Sequence, residues 1–318
     1  MVNTDKSSLS FKQIISIIGI CSGCIVMGLV FTMVNTAIPS IQKAIHMSIH
    51  SMQWMMIAFG MVNCALLVTS GRVADIFGRK KIFLIGLFAS GSGMLFAGLS
   101  KGSFGLILSM ALAGLGNAIL LPVSQAMLVS EFPESRRSHA ISIWATAVAS
   151  ALALGPLLGG VIVDKLSWQW VFWINVPVVL VSFLIIYLFS KESKNKDDPP
   201  HIDYKGMIYI ALGLSAFVLI TTEFSDLSNT IIVLLITLFF GCAFLLWKNG
   251  KTNPYPILQQ NLIRNRVFLF SSLASACLIF YLWSIFFLLP IYLQKVRNFS
   301  SLDTGLLMLG ITVPVAFL

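Results

Sequence analysis

A chain of 318 residues that is 57% hydrophobic and only 10% charged, with a mean hydropathy of +0.91, cannot cover itself with a water-facing surface, so it is a polytopic membrane protein. Its net charge of +9 does not make it a nucleic-acid binder, because Lys and Arg sit in short loops and form no basic stripe interleaved with aromatics. Cys21, Cys24, Cys64, Cys242 and Cys277 all lie inside apolar runs, none in metal-ligand spacing to a histidine, so they read as small core residues and no metal site or disulfide is expected.

In chain order, Met1 to Lys12 is short and polar. The run from about Gln13 to Ile38 is too long for a signal-peptide core and lacks a small-x-small cleavage site, so it is the first membrane span. Runs of bilayer length follow at about 53–70, 82–100, 104–129, 141–163, 171–190, 206–222, 229–247 and 267–293, which makes nine spans. A tenth begins after Asp303-Thr304-Gly305 but has only 13 residues before Leu318. At 1.5 Å per residue that is roughly 20 Å, so the chain reads as a fragment.

Of the 21 cationic side chains, 16 fall in the N-terminal segment and alternate loops on its side, and Lys43, Lys101, Lys165, Lys295 and Arg297 fall on the other. The positive-inside rule therefore puts the N-terminus in the cytoplasm and Trp54, Trp168 and Trp170 at the outer interface. Lys191 to Lys205, with Asp197-Asp198-Pro199-Pro200, reads as a boundary after a six-helix bundle. Asn249 to Arg266 reads as a second boundary, leaving a pair of spans between the two.

Gly71 to Lys81 is the most informative connection: a compact basic loop between spans two and three, with Gly71 and Gly78 at tight backbone positions and Asp75 as a partner for helix-end N–H groups or an arginine. Arg79, Lys80 and Lys81 taken alone also fit a simple topology anchor. All 12 carboxylates, all 21 cations and all four histidines lie in loops or at span ends, so no proton carrier is expected at mid-membrane. Glu223, at the outer end of span seven, reads as a solvated helix end.

Span five contains Gly155-Pro156-Leu157-Leu158-Gly159-Gly160. Pro156 removes a backbone bond and Gly155 and Gly159 allow close helix approach, which together suggest a bending, packed element. Thr32, Asn35 and Pro39 share a face of span one; Met110, Asn117, Ser124 and Gln125 share a face of span four; Asn63 is a weaker candidate on span two. These faces suit either a ligand cavity or interhelical hydrogen bonding.

Gly71-x-x-Ala74-Asp75-x-x-Gly78-Arg79-Lys80-Lys81 resembles the signature loop of the major facilitator superfamily, and Gly155-Pro156-x-x-Gly159-Gly160 resembles its antiporter motif. Asn35-Thr36-Ala37-Ile38-Pro39, Trp168-Gln169-Trp170 with the following Val171 to Pro177, Asp203-Tyr204-Lys205-Gly206 and Arg264-Asn265-Arg266-Val267-Phe268 resemble the fourteen-span drug:proton antiporter branch, of EmrB/QacA type. The resemblance implies an all-α major facilitator fold: a six-helix bundle over 1–190, a loop over 191–205, two extra helices over 206–247, a loop over 248–266 and the start of a second bundle over 267–318. It also implies that Gly71, Asp75, Gly78, Arg79 and Lys80 belong to a conformational latch, and that Gly155, Pro156, Gly159 and Gly160 form a flexible, leak-limiting contact.

Two departures stand out. Val30 occupies the position where the branch usually has Asp, and Met110 and Ala113 stand where it usually has Arg and Gln. The expected function is alternating-access export of amphipathic organic compounds across a bacterial-type inner membrane, with a small-molecule substrate and the lipid bilayer as partners and protons as the coupling ion. A monomer without cofactor is expected. A uniporter or carrier of a neutral or anionic metabolite, and a non-transporting or inactive fragment, are the alternatives. Enzymatic activity is not expected, because the chain has no nucleophile–base pair, metal spacing or phosphate-cradling loop.

Overall fold

The computed structural model describes residues 10–133, 136–194, 203–224, 227–258 and 264–316. The expected Asp197 to Pro200 boundary and residues 259–263 of the second boundary lie outside these. A hydrocarbon layer offers no water to N–H and C=O groups, so a chain crossing it must satisfy its backbone internally, and the apolar runs are helical. The helices are α1 (Phe11–Ile45), α2 (Ile49–Phe77), α3 (Arg79–Leu99), α4 (Ser103–Glu131), α5 (Arg137–Lys165), α6 (Trp170–Trp173), α7 (Asn175–Phe189), α8 (Tyr204–Glu223), α9 (Asn229–Thr252), α10 (Arg266–Lys295) and α11 (Ser301–Ala316). Among the described residues nine helical segments are long and apolar enough to cross a membrane, α6 and α7 counting as one.

Helices outrun the apolar stretches that locate them, because capping groups and polar turns extend the ladder past the lipid-soluble part. Ser48 accepts from the Ser51 N–H at 3.0 Å and starts α2 four residues before the expected run at 53. At its other end α2 continues through Gly71 to Phe77. The connection expected as a loop over 71–81 is therefore two helix ends meeting at Gly78. Likewise α11 already begins at Ser301, where Ser300 Oγ accepts from the Asp303 N–H at 3.0 Å, so Asp303, Thr304 and Gly305 lie inside the helix rather than before it.

The apolar core lies within α1 to α7 and their connections, with Phe83, Phe172, Met55 and Leu120 among its fully buried side chains. The central helix is α1, which packs on α4, α5 and α7; α2 and α3 pack on α4. Two of the five cysteines, Cys64 and Cys277, are exposed and are not core residues. Trp168 is buried, edge-on to Phe172 with centroids 6.1 Å apart, and so leaves the interfacial belt expected for it. Outside this core, α8 and α9 pair with each other and α8 leans on α2, while α10 lies along α1 and α11 along α5.

The base of the α8–α9 pair is held by Asp203, only 6% exposed. Its carboxylate accepts from the Gly206 N–H at 2.9 Å, the Asn249 side chain at 2.6 Å and the Ile257 N–H at 3.1 Å. One buried acid thus caps α8, fastens the last turn of α9 and pins the segment beyond it. Replacing Asp203 by Ala strands three donors, and the expected loss is about 2 kcal/mol or more. Asp203→Asn, which keeps an acceptor oxygen, should lose less. Thermal unfolding of the purified protein in detergent reads the difference.

Candidate functional site

At the Gly78 end of the bundle, the backbone of Gly78 has φ +115°, a region that favours glycine. A second reason for glycine is the carboxylate of Glu192, which follows α7: a Cβ on Gly78 would come within 2.6 Å of it. Glu192 accepts from the backbone N–H of Lys80 at 3.0 Å and of Lys81 at 3.3 Å, placing an anion at the N-terminus of α3 where the helix dipole favours one. The Arg79 N–H donates to the Ser193 carbonyl at 3.0 Å. Glu192 is thus part of the junction, although in the sequence it is one acid in a charged loop.

Across Gly78, Arg79 Nε and Nη2 each lie 2.8 Å from Asp75 Oδ1, an i,i+4 pair bridging two helices. Lys80 Nζ donates to the carbonyls of Tyr187 and Ser190 at 2.8 Å each, so it serves the last turn of α7 and is not a free anchor. Gly71 lies within α2, where an added Cβ would meet Pro122 at an ordinary 3.5 Å, so it shows neither a tight turn nor a close approach. Beside it, Pro122 has no N–H for the Ala118 carbonyl; Ser70 Oγ donates to that carbonyl instead, at 2.5 Å, and ties α2 to α4.

The second group is the small-residue face of α5, which runs through Pro156 as one helix. A Cβ on Gly155 would overlap the Thr32 hydroxyl, and one on Gly159 would lie 2.9 Å from the Met33 backbone. A Cβ on Gly160 would overlap the Ser301 carbonyl, and one on Gly305 would lie 2.6 Å from the Pro156 carbonyl. The four motif residues therefore sit between α1 on one side and α11 on the other.

The polar faces separate. Thr32 donates to the Gly28 carbonyl at 2.9 Å and packs on Gly155, so it belongs to the α1–α5 contact. Asn35 is 1% exposed and both of its amide atoms lack a hydrogen-bond partner among the described residues. Asn63 keeps one such atom, Oδ1. Met110 is fully buried, Asn117 and Gln125 are half-buried, and Ser124 Oγ accepts from Trp144 Nε1 at 2.9 Å. The apolar substitute Val30 is 2% exposed and, like Met110, part of the core.

At the opposite end, α10 reaches α1: Gln294 Nε2 donates to the Thr36 carbonyl at 3.0 Å, and Lys295 Nζ bonds Gln42 Oε1. Nearby, Glu223 is not a solvated helix end. His50 Nε2 lies 2.6 Å and Trp54 Nε1 2.5 Å from its Oε1, which fastens α8 to the first turns of α2.

A bundle of membrane-length helices, with two junctions built on close backbone approach, defines a polytopic α-helical membrane protein. The chain belongs to the Major Facilitator Superfamily, whose family model matches residues 20–318. It is 28% identical over 280 residues to the probable multidrug resistance protein EmrY of Escherichia coli, covering 86% of this chain and 54% of the relative. It is 30% identical over 285 residues to the multidrug export protein EmrB of Haemophilus influenzae, covering 86% and 54%. The multidrug resistance protein Stp of Mycobacterium tuberculosis is 26% identical over 309 residues, 96% of this chain and 57% of the relative. The chain thus spans about half the length of the curated relatives it matches. A crystal structure of the peptide transporter POT with sulfate superposes with a TM-score of 0.64 at 16% identity, covering 94% of this chain and 67% of that one. The human organic anion transporter MFSD10 gives 0.54 at 14%, covering 96% and 70%. At these identities the two structures speak for the fold alone.

The two glycines of the signature segment should separate in a stability assay. Gly78→Ala combines an unfavourable φ with a clash on Glu192 and should cost on the order of 1–3 kcal/mol, whereas Gly71→Ala should be neutral or slightly stabilising because it improves helix propensity. Thermal unfolding of both variants in one detergent makes the comparison.

Proposed function

We propose that the protein exports amphipathic organic compounds by alternating access. The observation that carries this reading is the similarity along nearly the whole chain to proteins named for multidrug export and resistance. In this reading α1 to α7 form one rocking bundle, α8 and α9 an inserted pair, and α10 and α11 the first helices of a second bundle. The packing of α10 on α1 and α11 on α5 supports that division. The Gly78 end is cytoplasmic and the membrane is the inner one; the concentration of Lys and Arg on the side of the Gly78 end supports the orientation.

The two junctions then have distinct tasks. The contacts of Gly160 with Ser301, Gly305 with Pro156 and Gln294 with Thr36 close the outer end between bundles. A side chain larger than hydrogen on that α5 face would hold the bundles apart and leak. The Asp75–Arg79 pair and the Glu192 cap keep α2, α3 and α7 together as one rigid unit at the cytoplasmic end. Asn35, with an unpartnered buried amide on the central helix, is a candidate substrate contact; Asn63, Asn117 and Gln125 are further lining residues.

Protons drive transport in this reading, supported by the likeness of the motifs to the antiporter branch. A second reading has a specific basis: Val30 and Met110 put buried apolar side chains where that branch has charge. A carrier of a neutral or anionic metabolite would then transport without regard to a protonophore. Reconstituted vesicles loaded with a fluorescent amphiphilic cation test both. Efflux that follows an imposed pH gradient is the expected result, and absence of movement in folded protein overturns the exporter reading. In the same assay Asp75→Asn and Pro156→Ala should each slow transport on the order of tenfold, a barrier change of about 1.4 kcal/mol, with insertion unchanged. Wild-type rates in both would remove the mechanical roles assigned to these residues.

A further inference from the structure

Along α4, between α2 and α3, runs an open groove of about 650 Å³. Val62 of α2, Phe96 and Leu99 of α3, and Leu108, Leu112 and Leu115 of α4 form its walls. Leu99 and Leu108 are more than half exposed, so the groove opens outward; α4 gives the core a different set, Leu106, Met110 and Ala113. Glycine contacts fix the spacing of the three helices. A Cβ on Gly114 would overlap the Phe59 carbonyl of α2, and one on Gly93 of α3 would lie 2.6 Å from the Ala113 nitrogen. The groove is therefore a preformed feature of the packed bundle.

Two hydroxyls belong to the lining, and both are committed to their own helices. Ser100 Oγ donates to the Phe96 carbonyl at 2.8 Å, and Ser109 Oγ to the Gly105 carbonyl at 2.7 Å. The groove is thus suited to a filling without hydrogen-bonding groups. From Gly105 to Leu115 its lining follows α4 for roughly 15 Å at 1.5 Å per residue. That is about half of a ~30 Å hydrocarbon layer, the depth of one leaflet. At the mouth, the α3–α4 turn, the chemistry changes. Lys101 is exposed and has no ion pair among the described residues, and Gly102 brings no side chain to cap α4. No acid of these two helices offsets the charge: α3 has none, and Glu131, the one acid of α4, is at its far end. An ammonium and the N-terminal end of a 29-residue helix make the mouth positive above an apolar slot.

We propose that the groove is a binding site for an anionic phospholipid, with one acyl chain along α4 and the phosphate at Lys101 and the first turn of α4. A slot one leaflet deep that ends in positive charge matches a molecule with a chain of that length and an anionic head. A chain without the head leaves Lys101 unused, and a water-soluble anion leaves the groove unfilled. The walls come from α2, α3 and α4, whereas α10 and α11 pack on α1 and α5. Occupancy therefore requires neither transport nor any particular substrate.

Titration of the purified, delipidated full chain in detergent, with bound lipids counted by native mass spectrometry, tests it. The probes are dioleoyl phosphatidylglycerol, which is anionic, and dioleoyl phosphatidylcholine, which has the same chains and no net charge. The protein should bind one phosphatidylglycerol about fivefold or more tightly than phosphatidylcholine. Lys101→Gln should remove that preference and change phosphatidylcholine by less than about twofold. Lys165→Gln, which removes another exposed cation at the same end of the bundle, should leave the preference intact. Ala111→Phe narrows the groove and should weaken both lipids about tenfold or more. Leu108→Gln, at a position 62% exposed and dispensable for packing, should weaken both by placing an amide among the chains. Equal affinity of the unmodified protein for the two lipids overturns the proposal. An equal loss of preference in Lys165→Gln reduces the effect to general surface charge and overturns it too, as does unchanged binding in both groove variants. Glycerol phosphate, the head without chains, should not compete; competition at matched concentration would mean a free-phosphate site and would likewise overturn the lipid reading.

Discussion

In lipid, two apolar helices gain nothing by hiding leucines from water, so a membrane bundle has to be held by close backbone approach and by interhelical hydrogen bonds. The structure depends on this constraint throughout. A Cβ on Gly116 would run into the Ser90 backbone of α3, and one on Gly93 would come within 2.6 Å of the Ala113 nitrogen of α4. On α5 the same device is used twice, towards α1 and towards α11. Side chains then add specific bonds where small residues have brought backbones close: Ser182 Oγ donates to the Gly19 carbonyl at 2.7 Å, and Ser70 Oγ takes over the carbonyl that Pro122 leaves without a helical partner.

The same constraint sorts the charges. A carboxylate in hydrocarbon costs too much unless partnered, and among the described residues the acids are found at or near helix ends, most of them bonded to a donor there. Asp203 caps α8 and collects Asn249 and the Ile257 N–H; Glu192 caps α3; Glu131 accepts from Ser16 at 2.7 Å; Glu223 accepts from His50 and Trp54. These four acids therefore join segments that are distant in sequence.

Much of this architecture is legible in the sequence. The nine spans follow from hydropathy alone, since an apolar run of about 20 residues has only one way to satisfy its backbone in a bilayer. The pairing of Asp75 with an arginine and the close helix approach at Gly155 and Gly159 also follow from residue type and spacing. What the sequence conceals is anything set by contacts between distant elements. Hydropathy ends where polar residues start, but α2 continues seven residues past its run to Gly78 because its ladder has no reason to stop sooner. Gly71 and Gly78 are alike in the sequence, and only the backbone angle and the carboxylate of Glu192, more than 100 residues away, distinguish them. Glu223 looks solvated at a span end until α2 is laid beside it. The polar face of α1 looks uniform, but Thr32 is spent on packing against Gly155 while Asn35 keeps an unpartnered amide.

That division on α1 bears on how such a bundle can couple two bindings. A group that changes its proton or ligand occupancy between access states has to meet a different neighbourhood in each. Thr32 and Met33 are locked to the α5 glycines within one bundle, so their surroundings move with them. Thr36, one turn beyond Thr32, has its carbonyl bonded by Gln294 of α10, and Phe31 lies edge-on to Trp283 of α10 with centroids 3.9 Å apart. Asn35 falls on the helix between these two contacts. If α10 moves relative to α1, Phe31 and Thr36 lose partners that Thr32 and Met33 keep, and a buried amide between them gains access to whatever enters. In the alternating-access reading proposed above, the unpartnered Asn35 amide lies at the seam between a fixed and a separable contact, which would make α1 the helix through which a change of state is felt.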